Sequence, residues 1–216
     1  EGVRVIITSA GSPKRFTKIL KSEGVMNLHV VSSPVLAKKC EDAGCDAVIA
    51  EGFEAGGHNG RDEITTMVLL PNVVDSVSVP VIAAGGIASG RQIAAAFALG
   101  ASGVQIGSRF CVTKESRAHS NFKQEIIKSA FGSTKLCMKK LVPVRLLKND
   151  FYHEINKAEN EGASAEELST LLGKGRSHKG MHQGDIINGE LEIGQVCGQI
   201  NEEPTCSELV STLVRE

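Results

Sequence analysis

The first half of the chain alternates short apolar runs with longer amphipathic stretches at a regular beat. Five runs, VRVIIT (3–8), NLHVV (27–31), DAVIA (46–50), VPVIAA (79–84) and GVQIG (103–107), are rich in β-branched residues and poor in polar positions. That pattern predicts strands apolar on both faces, as parallel strands covered by helices must be. Between them, SPKRFTKILKSEG, SPVLAKKCEDAG, TTMVLLPNVVDSV and SGRQIAAAFALG repeat apolar residues at helical spacing. Pro13 stands near the first helix start, Ser33 is the expected N-cap of the second, and Gly24, Gly44 and Gly100 are expected left-handed C-caps. A β-α repeat of roughly 20 to 30 residues implies an α/β fold with a parallel sheet.

The second half changes character. SAEE (Ser164 to Glu167) and TCSE (Thr205 to Glu208) are capping boxes, which start helices. Between them lies a glycine-punctuated stretch, GKGRSHKGMHQGDIINGELEIGQVCGQI. The expected division is therefore a βα part over 1–112 and, over 113–216, helical decoration with a glycine-rich cover loop. KLCMKKLVPVRLLKN carries Lys135, Lys139, Lys140, Arg145 and Lys148 among apolar residues. It reads as a solvated helix face or as a positive patch that steers an acidic partner.

Bulk properties narrow the function classes. With 216 residues, 41% hydrophobic content and a formal charge of −1, the chain suits one or two globular domains and lacks a nucleic-acid footprint. No run of eighteen apolar residues and no charged-then-apolar leader occurs, so neither a membrane span nor a secretory signal is expected, and the expected location is cytoplasmic. The six cysteines form no C-x-x-C pair and read as reduced thiols. His153, His178 and His182 lie in the charged tail without the clustering that a metal site would need.

Glycines collect just beyond the expected strand ends: Gly11, then Gly52, Gly56 and Gly57, then Gly85 and Gly86, then Gly107. That edge binds ligands in α/β folds, and glycine there lets main-chain N–H groups approach them. AAGGIASGR and QIGSRF offer such donors beside short helices, which suits a phosphate. No G-x-x-x-x-G-K-[ST] loop is present and GIASGR matches G-x-G-x-x-G poorly, so P-loop and Rossmann nucleotide binding are not expected.

The stretch EGFEAGGHNGRDE (51–63) holds the candidate chemistry. His58 follows two glycines at a strand end, where an imidazole exchanges a proton with a substrate or else caps its own loop. Glu51 and Glu54 read as residues that orient the backbone, and Arg61, Asp62 and Glu63 as a solvated helix entrance. His29 is either a core side chain or a residue that faces the site. His119 reads as a helix cap.

DAVIAEGFEAGGHNG, PVIAAGGIASGRQIAAAFALGASGVQIGSRF and TKESRAH, in this order and spacing, resemble the FMN-dependent family of nitronate monooxygenases and flavin-type enoyl-acyl-carrier-protein reductases. The similarity runs from about residue 3 to about residue 200 and implies the C-terminal part of a TIM (β/α)8 barrel: about five parallel βα units, family strands 4 to 8, plus a helical C-terminal tail. It implies FMN, its phosphate on Gly85, Gly86, Gly107 and Ser108, with Ala10, Gly11, Glu51, Gly57, His58 and Gln105 near the flavin. His58 would be the catalytic residue. Ser108 stands where the family usually has threonine, which keeps the hydroxyl.

The resemblance has further implications. GELEIGQ would lie near the active-site mouth and exclude water. NADH or NADPH would supply electrons to a reductase, relatives in that branch respond to monovalent cations, and a homodimer is the candidate assembly. The substrate would be a small molecule or one carried by acyl carrier protein in fatty acid synthesis. The alternatives are an enoyl-acyl-carrier-protein reductase, a nitronate monooxygenase using O2, and a non-catalytic phosphate- or partner-binding fragment. Because five βα units cannot close an eight-stranded barrel, the chain is expected to be a fragment of a longer product, with unpaired parallel edges at its first and last strands.

Overall fold

The computed structural model describes residues 2–216. Its elements begin β1 (Val5–Thr8), α1 (Lys14–Ser22), β2 (Met26–Val31), α2 (Pro34–Asp42), β3 (Ala47–Glu51), β4 (Gly57–His58), α3 (Thr66–Val74), β5 (Val81–Ala84), α4 (Gly90–Ala98) and β6 (Gly103–Gln105). They continue with α5 (Ser108–Cys111), α6 (Ser120–Ile127), β7 (Thr134–Cys137), β8 (Val144–Leu147), α7 (Asp150–Asn160), α8 (Ala165–Leu172), α9 (Arg176–Met181) and α10 (Cys206–Arg215). The chain divides into two compact units. The first takes the chain up to Phe53 with 62–87 and 91–105; the second takes 54–61, 88–90 and 106–216.

The first unit holds a five-stranded parallel sheet in sequential order, β1-β2-β3-β5-β6, and every predicted strand is present within one or two residues of its expected bounds. The register pairs Val30 with Ile49, Ile49 with Ile82, Glu51 with Ala84 and Ala84 with Gln105, so these residues share one face. The opposite face carries Val48, Ala50 and Ala83, all fully buried, on the side where α2 and α3 supply Ala37, Cys40, Leu69, Leu70 and Val73. A polar network ties α1 to this side: the Asn27 side-chain amide donates to Thr17 Oγ1 (2.7 Å), and the Asn27 main-chain N–H donates to Asp46 (2.9 Å).

Two expectations about this sheet separate. Among the described residues β1 and β6 each pair along one edge only, as expected of terminal strands. Burial on both faces holds for β3 but not for β1, whose Val5 and Ile7 are 43% and 54% exposed. A terminal strand has one neighbour, so its apolar side chains lack the cover that β3 receives.

In the second unit β4, β8 and β7 form an antiparallel sheet. KLCMKKLVPVRLLKN is its β7–β8 hairpin, which overturns the helix-face reading: β8 is a short apolar run buried at every position, and Met138 turns the chain with φ 55°. Of the five cationic residues of this stretch, Lys135, Lys139, Lys140 and Lys148 are exposed and one is not. Arg145 is 2% exposed, and Lys140 donates to the carbonyls of Gly162 and Ala163. Val144, Leu146, Phe151, Tyr152 and Ile155 form one apolar cluster, while Leu147, Leu191 and Ile193 join Phe122 and Ile126 in another. Both capping boxes form, and His119 caps α6 by accepting from the Asn121 N–H (3.1 Å).

The segment 190–195 continues the lane of β4 along β8. Gly57 pairs with Arg145 and His58 with Val144, while Glu192 bridges Leu146 and the Leu147 N–H donates to Leu191 O (2.8 Å). Gly56 and the Ile193–Gly194 main chain therefore abut, and a Cβ on Gly56 would overlap backbone atoms of both. Gly56→Ala should lower stability by about 1–3 kcal/mol, the usual cost of overpacking, seen as a lower urea midpoint with an unchanged slope.

Candidate functional site

In the first unit, Ala10 and Gly11 end β1 in a left-handed turn, with φ 57° and 69°. With Lys14, His29 and Lys39 they line a cavity of about 640 Å³. Of the two readings the sequence allowed, His29 is the core side chain: it is buried, with Nδ1 2.7 Å from Thr8 Oγ1, and pairs with Val48 on the face opposite Glu51, where it borders this cavity. Its burial pushes the imidazole pKa down, toward the neutral form.

Glu51 is the last residue of β3, in the face row that includes Ala84 and Gln105 at the C-terminal ends of β5 and β6. Burial pushes its carboxyl up to about 7, because the charged form loses hydration. Gly85 and Gly86 follow β5 with φ 85° and 73°, which only glycine adopts at low cost. Thr66, at the start of α3, donates its hydroxyl to Gly85 O (2.9 Å) and so fixes the peptide plane that carries the Gly86 N–H. Sequence reasoning missed this residue, because a threonine at a helix start reads as an ordinary cap.

In the second unit, Gly107 opens α5, and a Cβ there would meet no atom within 4 Å. Ser108 Oγ accepts from the Gly194 N–H (3.1 Å), which leaves its own hydroxyl hydrogen for another acceptor. His58 stands exposed on β4. The capping role a histidine could have had here is filled by Asn59, whose side-chain amide donates to Ala55 O (3.0 Å) and Gly57 O (2.9 Å). The Asn59 N–H donates to Pro143 O (2.8 Å), and its Oδ1 is buried without a partner. Arg61 is more than a solvated helix entrance: it donates to Leu141 O (2.7 Å) and clips the β7–β8 turn.

The GELEIGQ segment supplies what sequence reasoning overlooked. The Gln195 N–H donates to Glu54 O (2.9 Å), and Glu192 Oε2 lies 2.5 Å from where a Gly57 Cβ would be. The glycines of EAGGH thus admit this segment, a purpose the phosphate argument did not anticipate. Burial raises both carboxyls of the segment, that of Glu190 to about 7 with a further rise from Glu192; the His58 charge partly offsets the rise at Glu192. The signal was present as two glutamates inside an otherwise apolar, glycine-bounded stretch, GELEIG.

An acid whose pKa is raised on folding keeps a proton that the unfolded chain has released. Its contribution is therefore full below the unfolded value near 4.5 and falls as pH rises toward the folded value of about 7. Glu190 adds a second such contribution. In flavin-free protein, Glu51→Gln should flatten part of this decline, on the order of 1 kcal/mol per pH unit between about pH 4.5 and 7, as read by urea denaturation across pH.

A family model described as nitronate monooxygenase matches residues 1–216. The solved structure of FabK from Thermotoga maritima superimposes with a TM-score of 0.92 at 40% identity, covering 98% of this chain and 67% of that one. It places the parallel sheet as part of a (β/α)8 barrel. A curated carboxyl-CoA dehydrogenase of a methyl-oxo-octahydroindene acid, from Rhodococcus jostii strain RHA1, is 31% identical over 100% of this chain and 71% of its own length. A probable nitronate monooxygenase from Bacillus subtilis strain 168 is 34% identical over 94% of this chain, which spans 61% of that relative's length. With a family match from end to end and these relatives on the same fold, the chain belongs to the nitronate monooxygenase family.

Proposed function

We propose that the protein is an FMN-dependent oxidoreductase that reduces an enoyl thioester with hydride taken from NADH or NADPH. The observation that carries this reading is the 40% identity to FabK, an enoyl-acyl-carrier-protein reductase, over 98% of the chain. The carboxyl-CoA name of the Rhodococcus relative adds support for a thioester substrate. When bound, FMN accepts hydride from the nicotinamide and passes it to the substrate.

Each unit offers features that suit the cofactor. Gly85 and Gly86 of the first unit have the backbone freedom that a close phosphate contact requires, and Thr66 fixes their peptide plane. Gly107 and Ser108 of the second unit begin a helix beside open space, with a hydroxyl hydrogen to spare. We assign the phosphate to these four residues and the flavin surroundings to Ala10, Gly11, Glu51, Gly57 and Gln105. His58 exchanges a proton with the substrate. Its exposed place on β4, held by Asn59 and by the pairing with β8, suits that task.

A second reading, oxidation of an alkyl nitronate with O2, is favoured by the family model and by the Bacillus relative. The two differ in their electron donor. Under the first, the protein as its gene encodes it should oxidise NADH or NADPH anaerobically when given crotonyl-CoA, and should leave a nitronate unoxidised. Rapid O2 uptake with a nitronate alone, with no thioester-dependent NAD(P)H oxidation, would move the assignment to the second.

The phosphate assignment has its own check. Gly86→Val should weaken FMN binding by roughly one or two decades, since loss of even one hydrogen bond to a charged group is worth about 1.5–3 kcal/mol. The flavin fluorescence titration of a folded Gly86→Val variant should show it, and an unchanged affinity would place the phosphate elsewhere.

A further inference from the structure

Sequence and family both direct attention to His58, and neither assigns it a partner. Along one edge of β8 the adjoining rungs are His58 on Val144, Gly57 on Arg145 and Glu192 on Leu146. Glu192 therefore follows β4 end to end, and its carboxylate lies across the Cα of Gly57, 2.5 Å from where a side chain there would begin. Any other residue at position 57 would displace it. Glycine with φ +77° is thus what lets the acid reach the residue next to the histidine.

The surroundings select His58 as the group this carboxylate serves. Glu192 is held at its base by the bridge to Leu146, and on its far side by the Gly194 and Gln195 N–H groups bound to Ser108 Oγ and Glu54 O. The charged groups on the neighbouring elements are His58 on β4, Arg145 on β8, Glu190 on the same segment and Arg176 at the start of α9. Arg176 donates to the carbonyls of Leu171 and Leu172 and stacks over Phe151, so its donors are engaged elsewhere. Arg145 is turned into the core, within reach of Thr134. Glu190 carries the same sign as Glu192 and repels it. His58, on the Val144 rung, shares its face of the ladder with Glu192, on the Leu146 rung two residues along β8, and is the exposed one of these groups; its charge when protonated favours the charged form of Glu192.

We propose that Glu192 is the positioning residue of His58: its carboxylate, admitted by Gly57, orients the imidazole and balances the positive charge that His58 carries while it holds a proton. A carboxylate that steadies an imidazolium makes the histidine the better proton carrier, at a place where water alone would otherwise do so. The assignment rests on the reading of His58 as the proton-exchanging residue, and extends it to a residue from the far end of the chain.

The experiment uses the flavin-loaded enzyme as its gene encodes it, with whichever of crotonyl-CoA or a nitronate it turns over. Glu192→Gln, nearly isosteric, should lower kcat by about 10- to 100-fold with KM and bound flavin little changed, and Glu192→Asp should recover part of the loss. The double variant with His58→Ala should be no slower than His58→Ala alone, because one residue acts through the other. A crippled His58→Ala beside an unaffected Glu192→Gln would overturn the Glu192 assignment alone; a fully active His58→Ala would overturn the reading of His58 and this assignment together.

A second measurement needs no turnover and no variant of Glu192. The carboxyl ¹³C resonance of Glu192 should titrate at higher pH in His58→Ala than in the parent protein, because the imidazolium that favours the charged carboxylate is gone. An unmoved midpoint would overturn the proposal.

Discussion

The contact on which the second unit depends is one between main chains. Gly56 lies against the Ile193–Gly194 main chain with no room for a Cβ, and Gly57 lies against the Glu192 carboxylate, which a Cβ would displace. Two N–H groups of the crossing segment then find acceptors on what it crosses, Gly194 on Ser108 and Gln195 on Glu54. A loop that would otherwise be a flexible strand-end turn is thereby built from both sides. His58 inherits its placement from that construction: β8 pairs with it, Asn59 ties the turn beneath it, and Glu192 borders it.

Electrostatics follow from the same packing. Glu51, Glu190 and Glu192 all lose hydration, and burial raises each of them. In the first unit Glu51 reaches the protonated-deprotonated balance near neutral pH at a strand end where the fold class binds its ligands. In the second, burial raises Glu190 and Glu192, the Glu192 charge adds to the cost at Glu190, and the His58 charge relieves part of the cost at Glu192. Desolvated acids of this kind are characteristic of functional sites, where protons must move near neutral pH.

Much of the first unit was legible in the sequence, because parallel strands and their helices leave strong local signals. The five strands, the Ser33 N-cap and the left-handed caps at Gly24, Gly44 and Gly100 are local matters of β-branching, side-chain capping and glycine conformation. β1 departs from the expectation because burial depends on neighbours, and Val5 and Ile7 read the same on a central or a terminal strand. The hairpin at β7–β8 was obscured by its lysines. Charge suggested an exposed helix face, while Arg145, the one arginine among them, turned inward.

The candidate site was half legible for a related reason. Glycines at strand ends identified the turns, and the resemblance identified His58. The purpose of Gly56 and Gly57 could not be read locally, since it lies in a segment more than a hundred residues downstream. Thr66 and Asn59 were invisible in the same way: each is an ordinary polar residue whose importance comes from the carbonyl it meets.

Amide hydrogen exchange resolved to single residues tests this construction most directly. If the 54–59 loop and the 190–195 segment are one structure, the N–H groups of Gly194, Gln195 and Asn59 should be protected and should open together, with a common free energy. Exchange of Gly194 and Gln195 at the rate of an unstructured loop, while Asn59 stays protected, would contradict the account.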